Sequence, residues 1–433
     1  MTDLRLTDQL IKTALTPADD GAMAGLAGSI SERVHATPQR RFRWPRPSSI
    51  FGMSGPSPTL RTVALLAMLA LLVLVAVAII GSRRPQILGN GTMFHGGPAR
   101  TGEMVGPGPV GQPRLAWQAT LDGPLANTMP ALAGGRLYVA DGRGNVTVYD
   151  APTGARGWTK ALPRPAGSPA FAQGLLIVGA GDGVYGLDAT SGAERWHLAT
   201  DAPVLSAPAI DGGSLYVGLP DGSLVALDIA SGAERWRTKI GGAITRAPAL
   251  ADGTVVVGGD GGTLAAVRAS DGAPVWSVPL GAGQVATPAI RDGIVYATSG
   301  IDVDEAEHRL FALRLVDGVT VWTHVQPSGK ALFIGAVGAD AVYIVGLDGS
   351  VFAMRDGVVA WATDIGAPIG SVATLSDGTL YVSAGHSIQA LDAVDGHVRW
   401  SVSLEGEPGP VIVDGGWLYV GTNLGELVAY TAP

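Results

Sequence analysis

Four carboxylates stand within six residues at Asp302, Asp304, Glu305 and Glu307, next to His308. Hard cations take oxygen ligands, so this run is a candidate calcium-type metal site. Its spacing departs from the twelve-residue calcium loop and no glycine sits at its centre, which favours a solvated hairpin tip. The seven histidines (His35, His95, His197, His308, His324, His386 and His397) contain no pair at helical ligand spacing. His197 and His397 adjoin repeated segments and read as surface strand residues. No Ser or Asp stands in a recognisable nucleophile motif. Cysteine is absent, which excludes disulfides, thiolate metal sites and Cys nucleophiles. The many Asp-Gly pairs read as turns before they read as metal ligands.

Charge and hydropathy organise the chain around these residues. Residues 1–62 hold 8 Lys and Arg against 5 Asp and Glu, whereas 63–433 hold 21 against 32. An acidic main domain argues against a nucleic-acid partner, since phosphate binding needs a basic footprint. Val63 to Ile80 is an unbroken apolar run, and no charge occurs from Thr62 to Ser82. Eighteen residues at about 1.5 Å of rise nearly span a hydrocarbon core of roughly 30 Å. One transmembrane helix over 62–82 is therefore expected; a cleavable signal fits poorly behind so long a preceding segment. Arg40, Arg41, Arg43, Arg46 and Arg61 precede the run; Arg83 and Arg84 follow it. The positive excess predicts a cytoplasmic N-terminus and an extracytoplasmic main domain in a single-pass cell-membrane protein. Ahead of the span, residues 1–37 show helical apolar patterning (Leu6, Leu10, Ile11, Ala14), a possible docking segment for a cytoplasmic partner. A Pro/Arg/Ser-rich linker covers 38–61.

Downstream lies a repeat. ALDIASGAERW ends at Trp236, GLDATSGAERW at Trp196 and ALDAVDGHVRW at Trp400. Variants end at Trp158, Trp276 and Trp322, and a shortened copy at Trp361. A glycine stands four residues before each: Gly154, Gly192, Gly232, Gly272, Gly318, Gly357 and Gly396. The Trp spacings are 38, 40, 40, 46, 39 and 39, and a period of about 40 means a propeller or solenoid. Glycine suits a turn with positive φ, and the Trp on the following strand can bury its ring over the turn or against the neighbouring blade. Upstream of each signature comes a second hairpin, and upstream of the first five along the chain a Pro-Ala-apolar triplet, at Pro130, Pro169, Pro208, Pro248 and Pro288. Proline suits the start of an innermost strand. Four strands per period make one blade.

The pattern Ala-x-Asp-x-x-[Ser/Thr/Asp]-Gly-x-x-x-Trp resembles the tryptophan-docking repeat of pyrroloquinoline-quinone-like propellers, over roughly residues 92–433. Met93 to Gly102 also resembles the Phe-x-Gly…Thr-Gly lead-in of such propellers. Arg268 and Arg314 replace the Asp of the signature, and Arg355 adjoins a deletion, so those blades are expected to lose a turn hydrogen bond. An eighth tryptophan, Trp117, has no signature before it, and the last two strands have no Trp strand after them. The expected fold is all-β: an eight-bladed propeller of four-stranded blades over 111–433, closed by residues 115–121. Residues 83–110 form its lead-in linker.

The resemblance implies three functions in order. The first is a non-catalytic protein-binding or scaffold module, presenting its face to a protein partner. The repeat is similar to that of the propeller lipoproteins of the outer-membrane barrel assembly machine, whose lipidated Cys this chain lacks. The second is a transmembrane sensor or anti-sigma-like regulator. The third is a quinone-dependent dehydrogenase; those enzymes use a calcium held by Glu, Asn and Asp, and commonly a vicinal Cys pair. No matching acidic cluster or Cys occurs here, so no cofactor and no catalytic residue is expected.

Overall fold

The computed structural model describes residues 91–109, 111–125, 128–300, 307–327 and 331–432. The apolar run at 63–80, the segments 1–37 and 38–61, and Asp302, Asp304 and Glu305 lie outside them, as does the side chain of Glu307. Among the described residues, no helix is long and apolar enough to cross a membrane.

Thirty-two strands form eight four-stranded antiparallel sheets among the described residues, and these are the blades of a closed propeller. Blade three shows the plan, with strands Ala209–Asp211, Ser214–Gly218, Ser223–Asp228 and Glu234–Lys239 paired in that order. Its two middle strands are apolar on both sides because each is covered by the adjacent blades, and Leu224 through Leu227 are fully buried. The outermost strand instead alternates half-buried with exposed residues, which puts Trp236 on the covered side. Tight turns join the strands. Asp252 and Gly253, at φ 48° and 69°, supply the two left-handed residues that such a hairpin needs.

The signature tryptophans of blades one to six reach the next blade rather than their own turns. The Trp158 Nε1 donates to Ala189 O at 3.1 Å, Trp196 to Ile229 O at 2.9 Å and Trp236 to Ala269 O at 2.9 Å. The seven signature glycines have φ between 69° and 79°. A Cβ on any of them would meet the preceding blade's indole, for example at 2.6 Å between Gly192 and Trp158. Glycine is therefore required twice at this position, by the turn and by the ring above it.

The arginine replacements do not leave bare turns. Where Asp228 stands, it accepts from Ser231 and pairs with Arg235 at 2.7 Å, which pushes it down to about 2. In blade four the polarity is exchanged: Arg268 pairs with Asp271 at 2.7 Å, and Asp271 accepts from the Ala273 amide. Arg314 and Asp317 repeat this in blade five at 2.6 Å. The expected loss of a turn hydrogen bond is corrected to an exchange of partners.

The ring closes with strand Arg114–Thr120, which pairs antiparallel with Glu426–Thr431 and completes the sheet of Ile412–Asp414 and Trp417–Gly421. Blade six departs from the triplet rule: its innermost strand is Leu332–Val337, six residues with a register shift at Ile334/Ala336.

Candidate functional site

In each blade the first-to-second and third-to-fourth turns share one end of the propeller, because the strands alternate in direction. The second-to-third turns and the connections between blades share the other. The segment from Gly91 onward, expected as a linker, runs around the channel at the first end. Its carbonyls accept from innermost-strand amides in blade order. Leu132 donates to Gly91 O at 2.7 Å, Phe171 to Thr92 O at 2.7 Å, Leu250 to Pro98 O at 2.8 Å and Ile290 to Ala99 O at 2.8 Å. Val337 then donates to Thr101 O at 2.6 Å, Leu375 to Gly102 O at 2.9 Å and the Gly416 amide to Pro107 O at 2.7 Å. The close approach explains the motif glycines: a Cβ on Gly102, at φ +66°, would lie 2.8 Å from Gly335 O.

Arg100 joins this strap to blades three and four. It is fully buried, and its guanidinium donates to the carbonyls of Pro248 (2.9 Å), Ala207 (3.1 Å), Pro208 (2.7 Å) and Phe94 (2.5 Å). Burial lowers its pKa to about 9, which leaves it charged at neutral pH. A buried cation is tolerated here because carbonyl dipoles surround it.

His95, 2% exposed, stacks on Phe94 with ring centroids 4.6 Å apart. Its Nδ1 lies 3.2 Å from Arg100 O, and its buried Nε2 meets no protein partner. Burial pulls the imidazole down to about 4, so it is neutral at pH 7. Phe94 and His95 are among the residues lining a cavity of about 280 Å³. Phe333, Ile334, Leu347 and Val372 supply apolar wall, and Arg246, Thr287 and Ser371 supply polar groups. Arg246 Nε donates to Gln284 Oε1 at 2.7 Å, which holds the side chain at the wall.

The outer surface is uneven. The outermost strands of blades one to three read RGWTKA, ERWHLA and ERWRTK, whereas those of blades four to six read PVWSVP, TVWTHVQP and VVAWATD. Charge on an outer strand blocks unwanted edge pairing, and the second group lacks Lys, Arg and Glu. Exposed valines gather there and in blade seven: Val316 (73% exposed), Val319, Val321, Val358 (69%), Val359 and Val394 (69%). Their turns are neighbours, since Trp322 packs over Gly357 and Arg355 donates to Val394 O at 3.4 Å.

Of the residues singled out by sequence, the signature tryptophans and glycines assemble the blade joints and are not among the described cavity lining, whereas His95 is. His197 is on a surface strand, stacked on Tyr185 at 4.1 Å, and His397 is exposed. No group of His, Asp or Glu able to hold a metal occurs among the described residues. The described cavity lining includes no carboxylate, so it does not fit the calcium that a quinone dehydrogenase requires. Sequence reading passed over Arg100 and His95 as functional residues, although both stand inside the lead-in motif.

The family described as outer membrane protein assembly factor BamB matches residues 111–247, 221–368 and 328–432. The outer membrane protein assembly factor BamB of Xanthomonas campestris is 32% identical over 91 residues, 18% of this chain and 22% of that protein. The chain thus aligns with about a fifth of that relative's length. Among solved structures, BamB from Moraxella catarrhalis superposes with a TM-score of 0.62 at 22% identity, over 74% of this chain and 100% of that one. The quinohemoprotein alcohol dehydrogenase of Comamonas testosteroni gives 0.63 at 14%, over 81% of each chain. At these identities the superpositions establish a common fold and leave chemistry open.

Proposed function

Because the chain belongs to the family of the outer membrane protein assembly factor BamB, we infer that it is a non-catalytic protein-binding scaffold held at a membrane. The observation that carries this reading is the valine-rich sector of blades four to seven. Contiguous exposed apolar surface on a soluble domain marks an interaction site. The outer strands of blades one to three, with their lysines, arginines and glutamates, form the contrasting solvated sector. A rigid ring suits this role, since a partner then meets a preformed surface at little ordering cost.

Residues 62–82 are the anchor in this reading, with the N-terminus cytoplasmic and the propeller extracytoplasmic.

The experiment is site-specific photo-crosslinking in cells with the full-length protein. A crosslinker at Val358 should give a discrete protein adduct, and one at Arg195 in blade two should not. Equal adducts at both positions, or none at Val358, would defeat the reading.

A further inference from the structure

We propose that the outer strand of blade five, Thr320–Pro327, is an acceptor edge on which a partner protein's extended, basic segment adds a further strand to the sheet. The inference rests on the protein-binding reading of the valine-rich sector and names how the partner is held there.

An outer strand turns one row of backbone N–H and C=O groups away from its own sheet, and an extended chain that reaches this row can pair with it. Thr320–Pro327 is last in its sheet's strand order, and at eight residues it is the longest outer strand among the described residues. It contains no Asp, Glu, Lys or Arg. Val321, Thr323 and Val325 are exposed on one face of it. The neighbouring outer strands are guarded: that of blade six ends on Asp364, that of blade seven carries Arg399, and that of blade four holds Pro274 and Pro279.

Blade four also shows which way the edge faces. Pro279 stands three residues after Trp276, as Val325 stands three after Trp322. The Leu280 amide donates inward to Gly262 O at 2.8 Å, so the nitrogen of Pro279 faces outward, where a missing N–H breaks no ladder bond. At the matching place Val325 keeps its outward N–H, and so does Thr323, two residues before it on the same side.

Charge selects the occupant. By sequence, blades four to seven (residues 249–403) hold 7 Lys and Arg against 16 Asp and Glu, whereas blades one to three (131–239) hold 9 against 10. Asp356 and Asp395 are exposed on turns of the valine-rich sector. The field of this half favours a basic segment. It disfavours a second copy of this chain, whose matching edge would bring like charge. The exposed valines beside the edge call for apolar residues at alternate positions of the added strand.

The test is fluorescence anisotropy of the full-length protein in detergent with two labelled peptides, the basic KVTVKVTVK and its acidic counterpart EVTVEVTVE. The basic peptide should bind with a Kd below about 1 mM, and the acidic one at least about tenfold more weakly. Val325→Pro copies a proline that blade four already accommodates, so it should keep Tm within about 2 °C while weakening the basic peptide at least about tenfold. On binding, the amides of Thr323 and Val325 in the unsubstituted protein should gain hydrogen-exchange protection. The proposal is overturned by no binding of the basic peptide at millimolar concentration, by equal affinity for the two peptides, or by binding that survives Val325→Pro. A dimer that Val325→Pro dissolves would assign the edge to a second copy and overturn it as well. A crosslinked adduct at Val358 that persists with Val325→Pro overturns strand addition and leaves the protein-binding reading standing; the absence of that adduct in the unsubstituted protein defeats the reading itself.

Discussion

The indole of Trp117 lies over Gly154, and its Nε1 donates to Ala151 O at 2.9 Å. Trp117 is on the outer strand of blade eight and Gly154 on the turn of blade one, so this pair joins the two ends of the ring. The geometry repeats the internal joints, such as Trp196 over Gly232. The seam is built like the six joints that link blades one to seven.

Gly154→Ala should therefore cost as much as Gly232→Ala. Both put a Cβ 2.6 Å from an indole at φ near 70°. The expected loss is about 2–4 kcal/mol, from backbone strain plus overpacking. Gly212→Ala, at φ +57° with nothing within 4 Å, carries the strain alone and should cost about 1 kcal/mol. Urea denaturation followed by tryptophan fluorescence checks the ranking. Equal losses at Gly154 and Gly212 would count against the docking account.

Arg100→Met removes the donor to four carbonyls and leaves them buried. The expected cost is about 3 kcal/mol or more. Hydrogen exchange gives a sharper readout than stability. The amides of Leu132, Leu250, Ile290, Val337 and Leu375, which the strap accepts from, should lose protection, and those of the outermost strands should keep it.

The fold was largely legible because propeller joints are made by local sequence. A tryptophan, a turn glycine and a period near 40 recur in every signature, and counting tryptophans predicted closure by residues 115–121; the strand is Arg114–Thr120. Two things were not legible. The glycine and tryptophan of one signature sit in the same blade, yet each glycine is occupied by the previous blade's indole, a contact no sequence spacing reveals. The strap is written in backbone carbonyls at Gly91, Pro98, Ala99 and Thr101, which carry no residue signature. Its two informative side chains, His95 and Arg100, appear in sequence as single polar residues in a glycine-rich stretch.

The His95 ring gives a defined pH window. Its ordinary value is 6.5, and burial, with the Arg100 charge adding, lowers it to about 4. Between those values the unfolded chain binds a proton that the folded chain does not, so stability falls as pH drops from 6.5 to 4. The loss is on the order of 3 kcal/mol, and none arises above pH 6.5. His95→Phe should flatten this window. The turn carboxylates act lower: Asp228, pushed down to about 2 by Arg235, loses its contribution only as pH falls below the carboxylate range. Thermal unfolding from pH 4 to 8 separates the two.

The binding account is tested most directly by the partner captured at Val358. Its affinity should be measured for the full-length protein and for the double variant Val358→Asp/Val394→Asp. Both side chains are mostly exposed, so the folded state should keep its Tm within about 2 °C. The account predicts at least a tenfold loss of affinity for this variant and an unchanged affinity for Arg195→Asp in blade two. An unchanged affinity for the valine variant, or an equal loss for Arg195→Asp, would contradict it.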